Sequence, residues 1–162
     1  MARRVFFSFH YKRDIWRAEI VRNSWVTKPD REAAGFLDTA EREKLKRQGK
    51  EVVKRWIDKQ LEGTSVTAVL IGAETSSRKW IKYEIEKSYE RGNGLLGIYI
   101  HNIEDKDGNT DTKGNNPFDN ISQDGKKEYL SKIYYISYDW VNDDGYNNFG
   151  KWVERAALKA GR

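Results

Sequence analysis

The chain of 162 residues contains no cysteine, so it forms no disulfide and offers no thiolate ligand to a metal. No apolar run approaches the roughly 20 residues needed to span a bilayer. The amino terminus also lacks the apolar segment of a signal peptide. These absences exclude a disulfide scaffold and predict a cytoplasmic protein with no membrane partner. The length predicts a single domain, residues 1–162.

The charge is weakly unbalanced, since 30 Lys and Arg residues face 25 Asp and Glu residues. A positive excess suits an anionic partner such as a nucleic acid or a nucleotide. The two signs are interleaved, however, most clearly between residues 41 and 58. Interleaving is typical of a solvated helix face. Nucleic-acid binding is therefore not expected.

The apolar pattern predicts an alternation of strands and helices. The predicted strands are Arg4–Phe9, Gly35–Leu37, Ser65–Ile71, Leu95–Ile100 and Ile133–Ile136. The predicted helices are Lys12–Trp25, Glu41–Leu61, Arg78–Arg91 and Asn147–Lys159. Ser65–Ile71 is almost wholly apolar, as are strands that are covered on both faces. The polar segment His101–Leu130 predicts a long excursion, at about residues 101–130.

This order of elements predicts an α/β fold, a doubly wound parallel five-stranded sheet with helices on both faces. Ligands of such sheets bind beyond the carboxyl ends of the strands, where the strand order reverses. Four segments qualify: Ser8–Tyr11, Leu37–Thr39, Gly72–Ser77 and the loop after Ile100.

Glu84 is the most informative candidate for chemistry. It lies in the middle of an apolar stripe on the helix Arg78–Arg91, between Trp80 and Ser88. Burial would raise the pKa of its carboxyl group, whereas the helix dipole would stabilise the charged form. Two interpretations stay open from these residues alone: a functional carboxylate, or a structural Glu that pairs with a Lys or caps a backbone amide.

The end of the first strand offers Ser8, His10 and Tyr11. Ser8 would hydrogen-bond a ribose or a phosphate, and Tyr11 would stack on a ring. The alternative is that the aromatic residues here belong to the core. Neither His10 nor His101 has a His or Cys neighbour at metal-ligand spacing, so no metal site is predicted. Glycine-rich phosphate loops and the G-x-S-x-G nucleophile elbow are absent.

Six blocks of sequence, spread over nearly the whole chain, match one family in order. VFFSFHY (5–11) resembles the opening strand of TIR domains. SVTAVLIGAETSSRKWIKYEI (65–85) resembles the TIR core strand followed by a W-x-x-x-E segment, here Trp80 and Glu84. Four further blocks are similar to the TIR-like proteins of Thoeris anti-phage systems: IVRNSWVTK (20–28), AAGFLD (33–38), NPFD (116–119) and YDWVNDDGYNNF (138–149).

The resemblance implies a single TIR-like domain with a flavodoxin-like fold. It also implies an enzyme that takes NAD+ as its substrate and needs no separate cofactor. Such an enzyme breaks the nicotinamide–ribose bond and cyclises ADP-ribose into a signal that activates a separate effector. By motif, the catalytic residue is Glu84. The nucleotide pocket falls by the same motifs on Phe7, Ser8, His10, Asp38, Gly72, Thr75 and Trp80, to which Tyr11 is added as a stacking residue.

The chemistry agrees with this assignment, because N-glycosidic cleavage passes through an oxocarbenium-like state that a carboxylate stabilises. Family members often need assembly or an infection cue, so self-assembly and a phage-derived trigger are further expectations. GFLDTAE (35–41) replaces the Pro-Gly stretch of immune-receptor TIR domains, which argues against receptor-type assembly. Two other functions stay open: a catalytically silent TIR-like adaptor or nucleotide-binding module that acts by assembly, and a deoxyribosyltransferase-like enzyme.

Overall fold

The computed structural model describes residues 3–37, 39–121 and 135–162. Within them, five strands form one parallel sheet in the order β2-β1-β3-β4-β5. The strands are β1 (Arg3–Ser8), β2 (Arg31–Ala34), β3 (Val66–Ile71), β4 (Gly94–Tyr99) and β5 (Tyr135–Asp139). The helices are α1 (Tyr11–Val26), α2 (Thr39–Arg47), α3 (Lys50–Leu61), α4 (Lys79–Glu90), α5 (Pro117–Ile121) and α6 (Gly145–Lys159). The predicted α/β fold is confirmed.

Helices cover both faces of the sheet, as the apolar strands require. The α1 and α6 side holds the largest cluster, in which Val5, Ala68 and Leu96 of the sheet pack with Trp25 and Val153. The opposite face packs against α3 and α4, through residues that include Phe6, Val69, Leu95, Ile57, Leu61, Ile81 and Ile85. Central β3 is buried along its whole length and pairs with β4, as predicted. No helix in the described ranges is long and apolar enough to cross a membrane.

The predicted second strand was wrong in position. It was placed at Gly35–Leu37, whereas β2 occupies Arg31–Ala34 and pairs with β1 from Arg31 to Ala34. As an edge strand, β2 is covered less than the central strands and tolerates charged residues, so it lacks an apolar run. Gly35 has a φ of +94° and ends the strand, because glycine adopts this conformation without strain.

The predicted long helix Glu41–Leu61 is two helices, α2 and α3. Gly49, with a φ of +101°, separates them and precedes the first residue of α3. Interleaved charges and a continuing helical period hide this break in the sequence.

The excursion after β4 is described up to residue 121. Its loop is held by Arg17, whose guanidinium donates hydrogen bonds to the carbonyl oxygens of Ile103 (2.7 Å) and Asn109 (2.9 Å). Phe118 of α5 is buried in the cluster on the α4 side. The remainder of the predicted excursion, and residues 133 and 134 of the predicted last strand, lie outside the described ranges. The last strand, β5, extends further along the chain than predicted, to Asp139.

Gly94, at the start of β4, lies against the backbone of α6, so its substitution tests the packing between the sheet and that helix. A Cβ atom at this position would overlap the backbone carbonyl of Ala156. We expect Gly94→Ala to lower the free energy of unfolding by about 1–3 kcal/mol, measured by urea denaturation. Gly97→Ala is the matched control in the same strand, since the atoms nearest to a Cβ there, at 3.0–3.4 Å, all belong to side chains and none to the backbone. Equal or greater destabilisation by Gly97→Ala would contradict this account.

Candidate active site

A cleft that is open to solvent lies at the carboxyl ends of β1 and β2, beside α4, the helix that follows β3 along the chain. The strand order reverses at β1, since β2 and β3 flank it on opposite sides. This is the ligand-binding position of open α/β sheets. Its walls come from the segment after β1, from α2 and α3, and from the start of α4. The cleft therefore lies where the fold rule places a ligand.

Glu84 forms the acidic floor of the cleft. It belongs to the second turn of α4, and its side chain is 8% exposed. The Ser8 hydroxyl, at the end of β1, donates a hydrogen bond of 3.0 Å to Oε1 of Glu84. A strand end and a helix turn thus hold this carboxyl group, which is contacted by a hydroxyl rather than by a Lys ammonium or a backbone amide.

The environment of Glu84 moves the pKa of its carboxyl group close to neutral pH. Burial raises the pKa of its carboxyl group to about 8, whereas the Ser8 hydrogen bond and the positive charge of Arg42 lower it. The desolvation effect is the largest, so the neutral form prevails at neutral pH. A cationic ligand in the cleft would favour the ionised form. Perturbed carboxyl groups in a cleft are typical of functional sites.

Aromatic side chains line the cleft around Glu84. Trp80, one turn before Glu84 on α4, is half-buried and meets Tyr83 edge-on at 5.6 Å between ring centroids. Trp56 of α3 also lines the cleft and is half-buried. Such rings, with one surface on the protein and one toward the cleft, suit stacking on a base or a nicotinamide ring.

Phe7 of β1 and Tyr11, the first residue of α1, have structural partners as well. Phe7 is 1% exposed and lies in the core between Phe36 and Phe149, although its edge contributes to the cleft wall. The Tyr11 ring stacks on Phe9 with centroids 5.0 Å apart, and its hydroxyl accepts a hydrogen bond from the backbone N–H of Leu37. Both residues therefore shape the wall of the cleft from fixed positions.

His10 combines a structural role with a place in the cleft. Its Nδ1 accepts a hydrogen bond of 3.4 Å from the backbone N–H of Arg13 and so caps α1. Burial lowers the pKa of the imidazole, and the charge of Arg78 lowers it further. The ring is therefore neutral at physiological pH, and its remaining nitrogen is free of the cap.

Gly72 and Thr75 shape the loop after β3 and are not among the cleft-lining residues. Thr75 Oγ1 accepts a hydrogen bond of 2.8 Å from the Gly72 backbone N–H. A Cβ at Gly72 would overlap the buried carboxylate of Asp14, whose pKa burial raises to about 6. Asp38, the remaining predicted pocket residue, lies outside the described ranges.

Residues 6–105 match the family model of the TIR-like domain of Thoeris protein ThsB. This chain belongs to that family. The protein named "Putative cyclic ADP-D-ribose synthase ThsB1", from Bacillus cereus (strain MSX-D12), is 42% identical over 191 aligned positions, which cover 94% of this chain and all of the relative. The family membership predicted from the sequence is confirmed, and every cleft-lining residue lies within the matched region of the ThsB family.

Several cleft residues of this ThsB-family chain were not predicted from the sequence, and those with charged or large aromatic side chains include Arg42, Lys46, Trp56 and Arg78. The first two lie one helical turn apart on α2, and the guanidinium of Arg42 lies 4.2 Å from the centroid of the Tyr11 ring. In the sequence, Trp56 belongs to an apolar stripe, Arg42 and Lys46 lie in a region of interleaved charges, and Arg78 only begins a predicted helix. The i, i+4 spacing of Arg42 and Lys46 was the one available signal.

No group of three or more His, Asp and Glu side chains in the described ranges has an arrangement suited to a metal ion. The absence of a metal from the reaction stays a prediction, which is tested below.

Proposed function

We propose that this chain is an NAD+-consuming enzyme that breaks the nicotinamide–ribose bond and joins the resulting ADP-ribose into a cyclic isomer. The single observation that carries the proposal is the buried, Ser8-bonded carboxyl group of Glu84 on the floor of the switch-point cleft. Membership of the ThsB TIR-like family supports it, as does the activity named for the Bacillus cereus relative.

Glu84 acts in the first step. The bond between ribose C1′ and the nicotinamide nitrogen breaks, and its electron pair neutralises the cationic nicotinamide ring. The leaving group needs no proton, so no general acid is required. Positive charge develops on C1′ and the ring oxygen, and the ionised Glu84 carboxylate beneath the ribose stabilises it. The cationic substrate itself favours ionisation of Glu84 on binding.

Cyclisation is the second step. A nucleophilic atom in the adenosine half of the same ADP-ribose attacks C1′ and loses one proton, so the products are the cyclic isomer, nicotinamide and H+. Water at C1′ would give linear ADP-ribose instead. The aromatic walls supplied by Trp56 and Trp80 exclude water and offer surfaces on which the folded dinucleotide stacks.

The proposal extends to the role of the cyclic product in the cell. The cyclic product acts as a diffusible signal on a separate effector during phage infection, in agreement with the Thoeris family assignment. Because NAD+ is an intracellular cofactor, the enzyme works in the cytoplasm. Self-assembly and a phage-derived trigger regulate it. These elements come from the family resemblance and are tested in cells.

The direct experiment incubates the purified protein with NAD+ and, separately, with deoxynucleosides, and follows products by mass spectrometry. We expect nicotinamide and a cyclic ADP-ribose isomer from NAD+. Extracts of cells that express the protein, with and without phage infection, extend the test to an enzyme that needs a trigger. Base exchange on deoxynucleosides without NAD+ consumption would replace the proposal by a deoxyribosyltransferase.

Chelation tests the proposal that Glu84 acts on the ribose and not as a metal ligand. We expect product formation to be unchanged by EDTA, because stabilisation of the oxocarbenium ion needs only the carboxylate charge. The rate of nicotinamide release is measured with and without chelator. Loss of activity that a divalent cation restores would assign Glu84 to a metal site.

A further inference from the structure

Three positively charged side chains converge on the mouth of the cleft. Arg42 and Lys46 lie one turn apart on α2, and Arg78 directly precedes α4. Arg42 is half-buried, whereas Lys46 and Arg78 are exposed at the rim. Helix α2 and the residue before α4 therefore place three positively charged side chains at the opening of the cleft that Glu84 lines. We call these residues the cationic rim.

The side chains of the cationic rim are not held in ion pairs by the described part of the chain. None of them forms a salt bridge there, and Nε of Arg42 is buried with no hydrogen-bond partner. The acidic groups that influence them are Glu84, which attracts Arg42, and Glu43, which attracts Arg42 and Lys46.

The three charges also act on one another. Burial lowers the pKa of Lys46, and the charges of Arg42 and Arg78 lower it further. The pKa of Arg42 is lowered by burial and by Arg78. Like charges held at close range are unfavourable unless an anion lies among them. The rim is therefore arranged for a multiply charged anion.

We propose that Arg42, Lys46 and Arg78 form a diphosphate subsite, which makes the enzyme select dinucleotides over nucleosides with the same scissile bond. This inference rests on the proposed function, in which the ribose lies on Glu84. The diphosphate of NAD+ is attached to the 5′-oxygen of that ribose, so it reaches the rim when C1′ is at the floor.

Among the three residues, Arg42 is the best placed to bind a phosphate, because its guanidinium is held against an aromatic ring. Its guanidinium lies 4.2 Å from the Tyr11 ring centroid, and this contact fixes its orientation with little further loss of freedom on binding. A planar guanidinium donates two parallel hydrogen bonds to phosphate oxygens, and such charge-assisted bonds are strong. Lys46 and Arg78 add positive charge from the two sides of the opening.

The test uses Lys46→Gln and Arg78→Gln, with Lys44→Gln as the matched control. Lys44 is an exposed lysine on the same helix that does not line the cleft. The dissociation constants of ADP-ribose and adenosine are measured by calorimetry. We expect each rim substitution to weaken ADP-ribose binding roughly tenfold and to leave adenosine binding unchanged. Lys44→Gln is expected to alter neither constant.

A kinetic arm compares NAD+ with nicotinamide riboside, which has the same scissile bond but no diphosphate. The preference of the enzyme for NAD+, as a ratio of kcat/KM values, is expected to fall roughly tenfold in the rim variants, mainly through KM. Equal binding by Lys46→Gln and Lys44→Gln, or an equal loss toward ADP-ribose and adenosine, would overturn the subsite. A wild-type protein that binds ADP-ribose at the rim without consuming NAD+ would overturn the proposed function alone.

Discussion

Glu84→Gln is expected to lower the rate of NAD+ cleavage by roughly a hundred- to ten-thousand-fold. Gln has nearly the same shape, and its carbonyl oxygen accepts the hydrogen bond that Ser8 donates to Glu84. Packing against Ile81 and Ile85 is therefore retained. The negative charge that stabilises the cationic ribose in the transition state is lost. Nicotinamide release by the two proteins, at equal concentration, measures the effect.

The same substitution is expected to preserve or increase stability. The pKa of Glu84 rises from 4.5 to about 8 on folding. Below the lower value both states are protonated. Between the two values the unfolded state releases a proton that the folded state keeps, so folding loses stability as pH rises toward 8. Gln carries no such penalty, and the melting temperature of the variant should exceed that of the wild type increasingly over this range.

Glu86→Gln provides the matched control. Glu86 lies on the same helix, is only half-buried and does not line the cleft, so its substitution should leave the rate unchanged. A Glu84→Gln protein that is folded, with a melting temperature equal to or above that of the wild type, and that still forms product at the wild-type rate would refute the catalytic assignment. If wild type and variant alike leave NAD+ intact in infected cells, the silent adaptor becomes the better description.

The place of Glu84 in the cleft was predictable from the sequence because two independent signals meet at this residue. Its position in an apolar stripe marks a carboxyl group turned toward the sheet, and the W-x-x-x-E segment adds a family resemblance. The strand β3 was predictable for a similar reason, since a continuous apolar run is a local property. Its pairing with β4 followed from the general rules for right-handed crossovers.

The cationic rim was not predictable in the same way. Whether Arg42 and Lys46 face solvent or a cleft depends on the break at Gly49 and on how α2 packs beside α3. Both are consequences of packing between segments far apart in the chain, and the interleaved charges of this region are the same in either case. Arg78 joins them only because α4 follows β3, the neighbour of β1 in the sheet.

For His10 and Tyr11 the sequence indicated a position near the ligand site, but it did not reveal the hydrogen bonds that these two side chains make within the protein. Both were expected to face a nucleotide. The structure places both in the cleft wall, but it also gives His10 a helix cap and Tyr11 a hydrogen bond to the Leu37 backbone. Such contacts depend on backbone directions that a residue type does not encode. The structural contacts of both residues are observed, and their role in binding a nucleotide stays a prediction.

The pH dependence of NAD+ cleavage is expected to follow the ionisation of Glu84. Because the pKa of this group is about 8 in the free enzyme, kcat/KM should rise with pH and level off above that value. Two pH units below the pKa only about 1% of the carboxyl groups are ionised, so the rate should fall roughly a hundredfold. The cationic substrate favours the carboxylate, and the corresponding limb of kcat should therefore lie at lower pH.

Ser8→Ala gives the decisive comparison for this profile. The Ser8 hydrogen bond lowers the pKa of Glu84, so its removal should shift the limb of kcat/KM to higher pH. Arg42→Gln should act in the same direction, because it removes a positive charge that favours the carboxylate. Initial rates of nicotinamide release between pH 5.5 and about 9.5 would resolve these shifts. A flat wild-type profile, or a shift to lower pH in Ser8→Ala, would show that the ionisation of Glu84 does not control the reaction.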